Sequence, residues 1–318
     1  MHTPLPGPRH FTIVSPVARR PDRNLLMFSN ERLGTLLARN DLQLGAGADG
    51  IWHHGIIHTT AEQAVEREFR ERVGAQHYDD YLVSIARHHS IPVMDREIDR
   101  FLAQLPPGAL ILDIGGCWGW HWRRLAATRP DVGVLIIDFV RVNLGHARKL
   151  LGSLIGTQVA LMHADAMAVP FPAAGSGFEG FDGVWTVQVF QHIPDFARAC
   201  SEARRVLKPG GRFTNHSLHV TPFNRMLYRL FRKPYHLDGI RKDQFYLSRA
   251  NDSQRRILDG IFVEGRDRYT ECLFHPDLKW HWSGRRGSLL GSFDARLSDL
   301  PWLGRWVARQ RGFEGRKA

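Results

Sequence analysis

Three observations predict an α/β fold in which a mostly parallel sheet carries helices on both faces. From Ala109 onward, short apolar runs alternate with helical patterns, which implies right-handed strand–helix–strand units. The runs "ALILDI" and "DVGVLIIDF" are apolar throughout, as strands buried on both sides are. The segment Pro106-Pro107-Gly108 breaks the chain immediately before this rhythm starts. Ligands of such sheets meet the carboxyl ends of the strands.

The elements follow in order. Residues 1–60 show little periodicity and read as an irregular arm. A helix is expected from Thr59 to Arg72, capped by Thr59 or Thr60. A second is expected from Asp79 to His89. A third runs from Val93 to Leu105, with Ile98, Leu102 and Leu105 on one face. After the break, "ALILDI" is the first core strand and "WGWHWRRLAATR" a helix. "DVGVLIIDF" is the second strand, followed by the helix "VNLGHARKLLGSL". "QVALMHADA" and "GFDGVWTVQ" are the third and fourth strands. The helix "FARACSEARRVL", with Asp195 as its N-cap acid, ends at the turn "KPGG" before the strand "RFTNHSL". Beyond residue 220 the alternation stops. "TPFNRMLYRLFRKPYHLDG" is basic, aromatic and helical at its start. "NDSQRRILDGIF" reads as a helix, "RDRYTECLFH" as a strand, and the tail "WVARQRGFEGRKA" ends in one more strand. The division is therefore 1–105 as arm and helical extension, 106–219 as the core, and 220–318 as covering elements and final strands.

The chain has 318 residues, enough for one large α/β domain with additions. No apolar run is long enough to cross a membrane. The Pro- and Arg-rich start does not read as a secretory signal. Three cysteines, Cys117, Cys200 and Cys272, lack framework spacing and point to free thiols in a reducing cytoplasm. Net charge is +11, and residues 220–318 hold 20 basic against 11 acidic side chains. A solvated Arg-rich surface explains that excess. A surface for acidic substrates, nucleic acid or membrane is the alternative.

The stretch "LILDIGGCWGWHWRR" carries the chemistry. A dinucleotide fingerprint needs G-x-G-x-x-G, and both registers fail: Cys117 and Trp120 in one, Trp118 and His121 in the other. No Gly-Lys-Ser/Thr follows, so a phosphate loop is absent as well. The segment resembles motif I of the class I S-adenosylmethionine-dependent methyltransferases. Asp113, Gly115 and Gly119 stand at the acid, first-glycine and last-glycine positions, and Cys117 replaces the middle glycine. The order of the following motifs agrees from about Leu110 to Ser217. Asp138 closes the second strand, "HADAMAVPFP" follows the third, and "FDGVWTVQVFQHIPDFARACSEARRVLKPGGRF" covers the fourth strand, its helix and the turn.

The resemblance implies a Rossmann-like methyltransferase sheet with S-adenosylmethionine as cofactor. It assigns Gly115, Gly116, Cys117 and Gly119 to the cofactor loop and Asp138, with Phe139 beside it, to the ribose. It places Asp165 and the backbone of Ala166 at the adenine, and Thr186 and Gln188 at the methionine end. The cofactor carries no phosphate, so its loop needs no phosphate cradle. Asp113 suits the ammonium group, and a carboxylate suits the ribose diol. His192 is the candidate proton acceptor, with a structural helix-start histidine as the other reading. The sequence "TVQVFQH" lacks the [DN]-P-P-[YFW] tetrapeptide of base-amine methyltransferases, which favours a small-molecule, glycan or natural-product acceptor.

His54 and His58 stand four apart without the glutamate of a zinc motif, and no metal site is expected. His216 and His219 follow the fifth core strand and are candidates for the acceptor pocket. Tyr78 and Tyr81 are candidates for closing over the cofactor. Asn224–His236 is read as a lid over the acceptor or a surface helix. Asp299–Arg311 is expected to pack against the sheet. Trp118 is expected to turn towards the acceptor or the N-terminal arm. Two competing functions remain: methylation of nucleic acid through the basic C-terminal third, and a non-catalytic binding protein that keeps the fold.

Overall fold

In a computed structural model, the chain is described over residues 28–318 except 40, 43, 55–60, 76–84, 86–87, 220, 234–237, 242–244 and 281. The five predicted core strands form as β3 (Leu110–Ile114), β4 (Gly133–Asp138), β5 (Val159–His163), β6 (Phe181–Val187) and β7 (Leu207–Leu218). A hairpin of β1 (Leu44–Ala46) and β2 (Ile51–His54) precedes them. β8 (Asp238–Arg241) and β9 (Phe245–Ser248) form a separate hairpin, and β10 (Val263–Thr270) and β11 (Gln310–Arg316) follow. Among the described residues, nine strands make one sheet in the order β1-β2-β5-β4-β3-β6-β7-β11-β10. Neighbours from β2 to β7 are parallel, whereas β11 runs antiparallel between β7 and β10. This is the predicted α/β class: a Rossmann-like sheet with helices on both faces.

Successive side chains of a strand point to opposite faces, and the two layers of core follow from that. Leu112, Leu135 and Val184 face α1 (Glu31–Leu37), α6 (Phe196–Val206) and α8 (Asp252–Ile261). Ile111, Val134, Ile136 and Trp185 face α3 (Ile91–Leu102), α4 (Leu125–Thr128) and α5 (Arg141–Leu151). Each such aliphatic side chain, fully buried, contributes roughly 1.5–3 kcal/mol. The remaining helices are α2 (Ala61–Gly74), α7 (Pro222–Leu230), α9 (Leu289–Leu297) and α10 (Pro301–Val307).

Two expectations need correction. The first 60 residues are not irregular throughout, since α1, β1 and β2 lie among them. Asn30 caps α1 by accepting the Leu33 N–H at 3.0 Å, while its amide donates to the carbonyls of Gly108 and Asp131. That one side chain ties the arm to the foot of β3 and β4. The strands β1 and β2 are only three and four residues long, too short to show a period. The stretch "WGWHWRRLAATR" is not one helix. It is a 3₁₀ turn, Trp120–Trp122, and then the single turn of α4. Asp299–Arg311 packs on the sheet as expected, with Gly304 and Val307 of α10 against Tyr269 of β10, while Trp302 and Trp306 stay exposed. Asp195 likewise caps α6 as expected, accepting the Arg198 N–H at 3.0 Å.

Candidate functional site at the carboxyl ends of the strands

The turn after β3 is built from positive-φ residues: Gly115 at 70°, Cys117 at 51° and Gly119 at 70°. A β-carbon on Gly115 would lie 2.4 Å from a Val189 methyl, and one on Gly116 would lie 2.2 Å from Asp113 Oδ2. Glycine is therefore required at both positions. Cys117 keeps the left-handed backbone despite its side chain, which costs about 1–2 kcal/mol. Burial, reinforced by the nearby carboxylates, pushes its thiol pKa well up, so the sulfur stays protonated.

Two carboxyl groups sit beneath and beside this loop. Asp113 is enclosed, and its Oδ2 accepts the Trp122 indole N–H at 2.6 Å. Burial lifts its pKa to about 7 against the effect of that hydrogen bond, and Asp138 adds to the rise. Asp138 accepts the Cys117 N–H at 2.9 Å on one oxygen and the Val140 N–H at 2.7 Å on the other. Burial still raises its pKa to about 6. At the end of β5, Asp165 accepts the Met167 N–H at 2.9 Å, and Ala166 is buried beside it. Trp118 is buried. Its ring lies tilted against His146 of α5 at 4.1 Å and its indole donates to Asn143 Oδ1 at 3.0 Å.

The helix α2 roofs the loop. Arg67 stands over the Phe139 ring at 5.9 Å, beyond β4. Glu66, which accepts from Arg70 at 2.8 Å, lies 3.9 Å from His192 Nδ1, beyond β6. Because β3 lies between β4 and β6, a helix touching both ends crosses above Gly115–Gly119. His192 also receives the Gln191 amide at 3.1 Å. The strand β9 packs against both α2 and the Phe190–His192 turn.

A second group lies on the α3 side of the same rim. Gln188 has φ 56°, donates its N–H to His216 O at 2.7 Å, and reaches His89 Nδ1 at 3.4 Å. The Trp185 ring lies 5.6 Å from His121 and 5.3 Å from His216. Both ring nitrogens of His121, Nε2 of His216 and the Trp185 indole nitrogen are buried without hydrogen-bond partners. Burial lowers the pKa of His89 and His121 to about 3 and that of His216 to about 4, so all three are neutral at physiological pH.

Gly115, Gly116, Cys117, Gly119, Asp113, Asp138, Phe139, Asp165, Ala166, Gln188 and His192 thus come to one edge of the sheet. Thr186 is enclosed at the end of β6, its hydroxyl buried without a partner. His216 joins this edge, but His219 packs 5.4 Å from Tyr269 in a separate groove. Sequence reasoning missed His89 and His121, whose only signal is proximity in sequence to the loop and to α3. Tyr78, Tyr81, His58 and Pro234–His236 lie outside the described residues, as does most of the predicted helix Asp79–His89.

Comparison with known proteins bears on the family and the fold. Residues 112–214 match the family described as Methyltransferase domain. The chain is 34% identical over 120 residues to 27-O-demethylrifamycin SV methyltransferase of Amycolatopsis mediterranei, covering 37% of this chain and 42% of that one. It is 34% identical over 110 residues to 2-methyl-6-phytyl-1,4-hydroquinone methyltransferase of Synechocystis sp., covering 35% and 32%. The matched region thus spans less than half the length of either relative. A methyltransferase structure from Thermotoga maritima, titled a possible histamine N-methyltransferase, superposes with TM-score 0.50 at 17% identity. It covers 80% of this chain and all of that one, which is a likeness of fold.

Proposed function

We propose that the chain, whose residues 112–214 match the methyltransferase-domain family, is a class I S-adenosylmethionine-dependent methyltransferase that methylates a small-molecule acceptor held beside Gln188. One observation carries the acceptor reading. The glycine loop and the unpartnered nitrogens of His121, His216 and Trp185 meet at the same rim of the sheet. A buried polar atom without a partner is unfavourable by about 1–3 kcal/mol, and a ligand bearing hydrogen-bonding groups relieves it.

The residues fit the cofactor. Each oxygen of Asp138 accepts one backbone N–H, leaving lone pairs for the two ribose hydroxyls. Asp113 lies next to the loop, where an ammonium group would favour its ionised form. Phe139, Asp165 and Ala166 serve the adenosine side, Gln188 the methionine side, and Thr186 supports the strand end. When bound, the cofactor supplies an electrophilic methyl on a sulfonium leaving group. The protein aligns the nucleophile, excludes water and accepts a proton where one is released. In this reading His192 anchors α2 through Glu66, and neutral His89 or His121 takes the hydrogen bond of an acceptor hydroxyl. Relatives named for a rifamycin derivative and a hydroquinone favour a small-molecule acceptor. Residues 106–219 then hold the cofactor, while 1–105 and 220–318 build the roof and the acceptor side. The free cysteines suit the cytoplasm.

Calorimetry with adenosylhomocysteine tests the cofactor assignment. The parent binds, and Asp138→Ala weakens binding by about 1–3 kcal/mol through lost charged hydrogen bonds. A folded parent that does not bind sinks the reading in favour of a non-catalytic protein. His216→Phe is expected to keep adenosylhomocysteine affinity and lose turnover in an acceptor screen read by adenosylhomocysteine release.

A further inference from the structure

We propose that the face formed by α7, Trp280, Trp282, α9 and α10 docks onto an anionic lipid bilayer surface. This inference does not depend on the methyl-transfer reading. Large apolar side chains stand out of the face: Leu230 is 71% exposed, Leu289 89%, Trp302 67% and Trp306 61%. Met226, Phe231, Trp282 and Phe293 are exposed as well. Scattered single apolar residues are ordinary on a protein surface, whereas a contiguous set marks an interaction site.

The fold makes this set contiguous. The helix α7 packs against α10. At the end of α7, the Phe231 ring lies 6.2 Å from Trp280, which lies 6.2 Å from Trp282. The Trp282–Gly284 turn in turn packs on α9. Leu289 and Phe293 are one turn apart on α9, and Trp302 and Trp306 one turn apart on α10, so each pair shares a helix face.

Charge identifies the occupant. Arg225, Arg229, Arg232, Arg285, Arg286 and Arg305 are exposed on these segments. None of them pairs with an acid among the described residues. Asp294 is buried, and the exposed Asp299 is already held by Arg96 and Arg268. Indole rings seated at headgroup depth, aliphatic tips in the acyl boundary and guanidinium groups on lipid phosphates all fit such a face. A nucleic-acid backbone would satisfy the cations but leave Leu230 and Leu289 in water.

The position on the molecule is consistent with this. The helix α7 begins directly after the carboxyl end of β7. Gly304 of α10 abuts Tyr269 near the end of β10, which runs in the same sense as β7. The face therefore borders the rim that holds His216 and Gln188. An open groove of about 670 Å³, lined by His219, Tyr269, Arg305 and Trp306, lies at that border.

Flotation of the full chain with phosphatidylcholine vesicles, with and without phosphatidylglycerol, tests the proposal. The parent is expected to float with the phosphatidylglycerol vesicles at low salt and to be released by high salt. Trp302→Ser with Trp306→Ser, and separately Arg225→Gln with Arg229→Gln, should each lower partitioning about tenfold or more. Their circular dichroism and melting should match the parent. A parent that never floats overturns the proposal, and so do folded variants that float as well as the parent. A lipid-free parent dimer that the tryptophan variant splits into monomers also overturns it, by assigning the face to a second copy of the chain.

Discussion

Cys117 holds a backbone conformation that its own side chain opposes, at φ 51° and with its N–H fixed to Asp138. The hydrogen bond and the tight glycine neighbours impose the geometry, and the small thiol tolerates it. A β-branched residue there would not. Cys117→Val is expected to lower unfolding free energy by about 1–2 kcal/mol, while Cys117→Gly leaves it equal or higher. Denaturant titration measures both, and equal stabilities of the two variants would contradict the strain argument. The glycine spacing and the acid were readable in sequence, but the side chain that receives Trp118 was not. Its direction depends on Asn143 and His146, a helix away.

At the scale of elements, the helix that matters most for the site belongs to the N-terminal extension. The C-terminal end of α2 comes against α5: a β-carbon on Gly74 would lie 2.6 Å from Val142 Cγ1 and 2.7 Å from Asn143 Oδ1. Its carbonyl accepts from His146 Nε2 at 2.6 Å. Gly74→Val should lift α2 from α5 without disturbing the sheet. Limited proteolysis would then cut within residues 61–75 faster by about tenfold, with the global melt nearly unchanged. A variant cut at the parental rate would show that the close approach does not hold the roof. Helix formers made α2 legible in sequence, but nothing in its composition says that it crosses the loop after β3. At Trp120–Trp122 a helical composition instead gives a 3₁₀ turn, from which the Trp122 indole donates to Asp113.

For the whole molecule, two opposing sets of buried groups set the dependence of stability on pH. Burial raises Asp113 and Asp294 to about 7 and Asp138 to about 6. The unfolded chain releases these protons near pH 4, so their contribution is complete below that and is lost as pH rises through 6 to 7. Burial lowers His89 and His121 to about 3 and His216 and His219 to about 4. Their contribution is complete above about 6.5 and is lost as pH falls towards 4. Asp294→Asn isolates the first set, because Asp294 Oδ1 accepts the Cys272 and Leu273 N–H groups while Oδ2 is buried without a partner. The variant should gain on the parent in melting temperature as pH is raised from about 5 to about 8. A constant difference between the two across that range would contradict the raised carboxyl.

The sequence by itself determined the α/β class, the core strands and the loop family, because these rest on local properties. Strand burial shows in unbroken apolar runs such as Leu110–Ile114, and the loop shows in Gly115, Gly116 and Gly119, whose lack of a side chain the turn requires. Only the tertiary structure decided what surrounds that loop. His89, His121 and His216 lie far apart or on different elements in sequence, and the parallel order β3-β6-β7 brings them to one rim. The stretch Asp299–Arg311 reads as packed on the sheet, yet Trp302 and Trp306 are exposed, since periodicity states that a helix has an apolar face and not what covers it. That choice belongs to the packing of α7, α9 and α10, which leaves the indoles in contact with solvent.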